Sequence, residues 1–423
     1  MALDRSVAPK FQIPQDFQVG RPDCYELSNG AKLYFFSTPG IDAVKLEAIG
    51  TSARRTLHLE DQLVPRLCLE MILEGTNNLT ADQIAEKLDF YATEISPVSS
   101  FTHEGLRLIS TKKQFWNILP LYLTLFEEAS FPERYLDKKK KQKALAIKID
   151  QEKTASRANA RFREALFGIE DPFGYETKVE NIEAINAEKL KDYYFHHLWS
   201  NMEFFVAGNL SESELKELFK LLGCLPNRIR KKTIKPSLIF QSQTIDQGDE
   251  NSVQVSLRMG GPSISMKHPD FLALSVFNTF LGGYFGSRLI KNIREDKGHT
   301  YGIYSSLQVI GGIDYVLIGA EIQKGFKEEV IQEVDLEIQK LRDTPIPIDE
   351  LSSVRNYSIG KMLSQFSNSF DLLDRFKAVH RQGLGMDFYE KKLAYLKIFQ
   401  GQEIMEVGQK YFSEKLPIQI TVG

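Results

Sequence analysis

Arg294 and Tyr301 are a guanidinium and a phenol seven residues apart, and the stretch around them decides whether they meet. Leu289, Ile290 and Ile293 recur at helical spacing after Ser287, a residue type suited to N-capping. Gly298 supplies the left-handed residue that ends a helix, and residues 300–304 have the β-branched and aromatic content of a strand. The chain is expected to turn back there, with Arg294 in the last helical turn and Tyr301 at the strand's start, both facing one pocket. On the residues alone a structural role is favoured, with Arg294 complementing the helix macrodipole and Tyr301 half-buried against the sheet.

Other chemistry is sparse. The histidines are His58, His103, His196, His197, His268, His299 and His380, and none stands at H-x-x-x-H or H-x-x-E-H spacing. His103 and Glu104 begin H-E-x-x-H, but Arg107 stands where the second histidine belongs. Adjacent His196 and His197 diverge on either a helix or a strand. There is no G-x-S-x-G elbow and no Walker loop, and Gly282, Gly283 and Gly286 precede a helix without the lysine of a phosphate site. Cys24, Cys68 and Cys224 are far apart and read as reduced thiols.

The 423 residues exceed one ordinary core and fit two domains. A chain 42% hydrophobic and 26% charged is of the soluble globular class, and its formal charge of −3 gives no field favouring nucleic acid or an anionic membrane. The N-terminus lacks the apolar core of a signal peptide, so a cytoplasmic location is expected, or a periplasmic one if a leader has been removed.

The elements that must carry these groups can be placed along the chain. A polar arm to Asp23 precedes a hairpin closed at Asn29 and Gly30, and residues 44–50 alternate as a half-buried strand. Residues 61–73 form an apolar helix stopped at Gly75, and Thr80 with Gln83 makes a capping box for the next. Strands return near 94–97 and 106–109, with helices over 116–129 and 132–167. Lys138 to Lys141 on the last read as a solvated face. Residues 202–208 are a buried strand, Ser211 and Glu214 cap another helix, and the proline-bracketed basic segment 226–236 is the best linker.

Beyond that linker the pattern of the first half returns. Residues 253–260 alternate like 44–50, and 269–282 form an apolar helix ending in glycine like 61–75. Helices over 325–342, 349–370 and 370–381 come next, and the strand 418–422 closes the second half as 204–207 closes the first. The expected fold class is α+β, two homologous tandem domains, each a mostly antiparallel sheet packed with helices, at 1–224 and 243–423 with a linker at 225–242.

Residues 287–305, together with Leu281, Gly282 and Gly283, with Leu73 to Thr76 and the capped helix behind it, and with the duplication, resemble the pitrilysin/insulinase family of zinc metallopeptidases. The form resembled is the half-length one shared by mitochondrial processing peptidase subunits. The resemblance covers nearly the whole chain. It implies a His-x-x-Glu-His motif on the helix before Gly75, with a third, carboxylate ligand from a later helix. Here that motif reads Arg66, Leu67, Cys68, Leu69 and Glu70, and residues 138–149 hold no carboxylate. The implied ligand and base positions, Arg66, Leu69 and Glu70, are thus degenerate, and no cofactor is expected in this chain.

The same resemblance implies that Arg294 and Tyr301 project toward a peptide at a zinc site, the first holding its backbone and the second stabilising oxyanion charge. It implies a non-catalytic subunit, inactive alone, that completes the chamber of a homologous partner carrying the zinc. Peptide is the expected substrate, nucleic acid and membrane are not expected partners, and a homodimer is expected only of the isolated chain. The alternative is a structural or interaction protein on the same scaffold, similar to the core subunits of the respiratory bc1 complex.

Overall fold

The computed structural model describes residues 6, 17–230, 240, 242–366 and 368–423. Six strands, β1 (Asp23–Glu26), β2 (Lys32–Ser37), β3 (Ala43–Thr51), β4 (Glu94–Ser99), β5 (His103–Thr111) and β6 (Glu203–Gly208), form one sheet in the order β1-β2-β6-β3-β5-β4. Five more, β7 (Gln243–Gln247), β8 (Gln254–Pro262), β9 (Thr300–Ile310), β10 (Ile313–Gln323) and β11 (Ile418–Val422), form a second in the order β7-β11-β8-β10-β9. Taken in chain order, β2 to β6 correspond to β7 to β11. In each sheet the last strand runs parallel to the first of its set and antiparallel to the second. The fold is α+β, and the repeat read from the sequence is a repeat of strand topology.

Local expectations hold where the chemistry is local. Gly30 closes the β1–β2 hairpin with a positive φ of 76°. Both capping boxes form, Thr80 with Gln83 and Ser211 with Glu214. The polar arm lies largely outside the described residues, but its end packs on the second half, where Phe17 meets Phe366 edge-on and Val19 is buried. Of the basic segment, residues 231–239 lie outside the described residues. Its first residues are bound to the segment that leads into β6 through hydrogen bonds from Arg228 N to Trp199 O and from Met202 N to the Asn227 side chain.

Three expectations are corrected. The segment 132–167 is two helices, Glu133–Glu152 and Thr154–Phe167, parted at Lys153, whose backbone is extended. The second helix leaves the line of the first because Ala158, Phe162 and Leu166 bury against Leu317, Ile418 and Ile420 of the other half's sheet. Conversely, helix Ser369–His380 lies on β2 and β6, where Phe376 and His380 pack against Tyr34 and Phe205. Each half covers one face of the other's sheet.

That exchange overturns the half-buried reading of β3. Lys45 and Glu47, on its polar side, are only 5% and 2% exposed. Lys45 Nζ lies 3.2 Å from Glu47 and 2.9 Å from Asp374, while Lys377 bonds Glu47. The equivalent β8 does the same: Arg258, 4% exposed, donates to Asn159 at 2.7 Å and Glu321 at 3.0 Å. Charges buried this way are tolerable only because each has a partner.

The third correction concerns residues 138–141. Lys139 pairs with Glu74 at 2.9 Å, and Lys140 donates to the carbonyls of Glu183 and Ile185. Part of this basic run ties its helix to the first half rather than facing solvent.

Candidate functional site

The second-half site is built by a wide helical turn and an edge strand. Residues after Ser287 do form a helix, but Ile290–Asp296 is a π-helix, and the Ser287 hydroxyl is buried without capping it. Gly298, with φ at 69°, reverses the chain into β9. The preceding glycine turn presses onto that strand: a Cβ on Gly282 would stand 2.6 Å from Ser305 N, and Asn278 and Ser305 bond each other there.

This framework brings Arg294 and Tyr301 together. The guanidinium lies 5.3 Å from the centre of the Tyr301 ring and 4.8 Å from that of Phe285, between two aromatic rings. Tyr301 is 86% exposed, which excludes the half-buried sheet packing that the residues alone suggest. Phe285, also exposed, gives no signal in the sequence because an aromatic in a glycine turn carries no motif.

The first-half positions are arranged quite differently. Helix Val64–Met71 buries Leu67, Cys68, Leu69 and Met71, so Leu69 is core and the Cys68 thiol, raised well above its ordinary value by burial, faces Leu190 O. Arg66 and Glu70 remain on the outer face. Glu70 Oε1 accepts from Arg66 Nε and from Lys143 Nζ, both at 2.9 Å. Burial alone would raise the Glu70 carboxyl, but hydrogen bonds and charge from Lys143, then Arg66, outweigh it and hold the group below the ordinary range.

These residues do not fit zinc. Glu70 is a lone carboxylate between cations, Leu69 is buried, and the later helix brings the Lys143 ammonium against Glu70. Among the described residues, no three His, Cys, Asp or Glu side chains converge as a metal-binding group. Lys143 gives no signal in the sequence, because one lysine in a lysine-rich helix is indistinguishable from its solvated neighbours.

Beside this bridge opens a cavity of 550 Å³, lined by Arg54, Arg66, Glu70 and Phe101 with Pro97, Ser99 and Ser100. Neither Arg294 nor Tyr301 lines it. Behind Arg54, buried Glu104 accepts from the Tyr193 hydroxyl at 2.5 Å. Burial raises its carboxyl to about 7 against the opposing hydrogen bond from Tyr193 and the charge of Arg54. The sequence offered Glu104 only as half of a failed zinc motif.

Residues 184–357, which include Arg294 and Tyr301, match the family model described as Peptidase M16 inactive domain. That match covers about two fifths of the chain. The chain is also 25% identical over 288 residues to a Bacillus subtilis protein called an uncharacterized zinc protease, YmxG, covering 66% of this chain and 69% of that one. It is 23% identical over 304 residues to the probable inactive metalloprotease YmfF of the same organism, covering 64% and 69%. Its fold matches the crystal structure of a peptidase M16 inactive domain from Pseudomonas fluorescens with a TM-score of 0.83 at 19% identity, over 95% of this chain and 98% of that one. The pitrilysin-type resemblance and the α+β class therefore stand. Among the described residues, no helix of the chain is long and apolar enough to cross a membrane.

Proposed function

We propose that this chain is a non-catalytic subunit that pairs with a zinc-bearing homologue and presents Arg294 and Tyr301 to the peptide bound there. One observation carries the reading: among the described residues the Arg294 guanidinium has no carboxylate partner, and the Tyr301 phenol, stacked on it, is almost wholly exposed. The arginine would fix a peptide carbonyl, and the tyrosine hydroxyl would donate to oxyanion charge as it forms. Zinc belongs to the partner in this reading, since Arg66, Leu69 and Glu70 cannot hold it here. The division at 1–224 and 243–423 is proposed with it, the two halves acting as walls of one chamber.

The test is hydrolysis by the purified native complex carrying Tyr301→Phe or Arg294→Ala. The complex is expected to assemble normally, with turnover falling about 10²–10³-fold for Tyr301→Phe, the loss seen when one oxyanion donor is removed. Arg294→Ala is expected to raise KM as well. Unchanged turnover per assembled complex with both substitutions would return the pair to a packing role and favour a purely structural protein.

A further inference from the structure

A second cavity, of 350 Å³, adjoins the one beside Glu70 and shares Arg54, Arg66 and Phe101 with it. Arg163 enters from the far wall, so three guanidinium groups border one continuous space. Arg54 and Arg163 both lie against Phe101, at 5.6 and 6.0 Å from its ring centre. Among the described residues, neither is in an ion pair with a carboxylate, and each has a buried Nε without a hydrogen-bond partner. Both are half-buried.

The acids facing the space do not balance these charges. Glu70 is already shared between Arg66 and Lys143, and Asp150 is paired with Lys153 at 3.0 Å. Glu176 borders the second cavity, and its charge acts on Arg163. Glu104 acts on Arg54 from behind. A half-buried guanidinium without a carboxylate bears a desolvation cost that an entering oxyanion offsets through charge-assisted, fork-shaped hydrogen bonds. The space is also larger than a small ion needs, and of a size that takes several side chains.

We propose that this double cavity is a recognition site for acidic peptide, with Arg54 and Arg163 binding a side-chain carboxylate across Phe101. The proposal rests on the reading of the chain as a substrate-binding subunit and adds the charge class of the substrate. Where a zinc-bearing relative would hold a metal cation against a peptide carbonyl, this chain presents fixed organic cations to a peptide acid.

The test uses the full chain and fluorescence anisotropy of a labelled decapeptide of alternating Glu and Ala. Its counterparts have Gln, Lys or phosphoserine in place of Glu. The Glu peptide is expected to bind at least about tenfold more tightly than the Gln peptide, and to weaken with salt. Arg163→Gln is expected to weaken it about tenfold, Arg163→Lys to restore part of the loss, and Lys391→Gln, at an exposed residue outside both cavities, to leave it unchanged. Circular dichroism of each variant separates lost binding from lost fold.

Equal binding of the Gln or Lys peptide would overturn the proposal, and so would tighter binding of the phosphoserine peptide, which would make the site one for phosphate. Failure here, with hydrolysis by the complex still dependent on Arg294 and Tyr301, removes the charge class and leaves the subunit reading standing. Acidic binding intact in a chain whose complex ignores those two residues does the reverse.

Discussion

The two halves share a strand order but treat their functional positions in opposite ways. In the first, polar groups on the helix before Gly75 close on one another, with Glu70 held by Arg66 and Lys143. In the second, the half-buried Arg294 lies over the ring of Tyr301, which is almost wholly exposed. The first half satisfies the charges at these positions internally. The second half leaves the Arg294 guanidinium without a carboxylate partner among the described residues.

The largest expected difference is in metal content. The isolated chain should retain no stoichiometric zinc after dialysis, by elemental analysis, because Arg66 and Lys143 already occupy the carboxylate of Glu70. One zinc per chain would break the comparison at its root.

Next in size is the buried charge that joins the halves. Glu47→Ala leaves Lys45 and Lys377 sharing only Asp374 and should cost about 2–3 kcal/mol in denaturant unfolding, the range for losing buried hydrogen bonds to a charged group. A loss below about 1 kcal/mol would mean that helix Ser369–His380 is not held by these charges.

Glu104 gives a pH-dependent effect of similar order. Its folded value of about 7 lies above the ordinary 4.5, so the folded protein keeps a proton that the unfolded chain releases. The stability this contributes is complete below about pH 4.5 and is lost as pH rises through 7. Glu104→Gln, which keeps an acceptor for Tyr193, should therefore be near neutral at pH 4 and stabilising by roughly 3 kcal/mol at pH 8. Equal melting shifts at both pH values would show that Glu104 titrates normally.

The smallest effects compare the sites directly. Lys143→Ala opens a partly exposed ion pair and should cost about 0.5–1 kcal/mol. Tyr301→Phe removes a hydroxyl from an 86% exposed ring and should stay within about 0.5 kcal/mol. If Tyr301→Phe cost more than Lys143→Ala, the second site would be the structural one and the contrast would reverse.

What the sequence determined by itself was whatever neighbouring residues decide. Gly298 forces the chain back after Arg294, and Thr80 and Ser211 cap their helices with acceptors three residues on. The repeat of alternating strand and glycine-ended helix likewise fixed the paired sheets. What only the tertiary structure decided was which faces were covered, because alternation marks a polar side without saying what lies on it. Lys45, Glu47 and Arg258 read as solvent-facing until helices from the opposite halves bury them. The break at Lys153 belongs to the same exchange, since no glycine or proline marks it and long-range packing sets its direction. The meeting of Arg54, Arg163 and Phe101 joins residues about fifty to a hundred positions apart on separate elements, a proximity that chain closure creates and spacing cannot display.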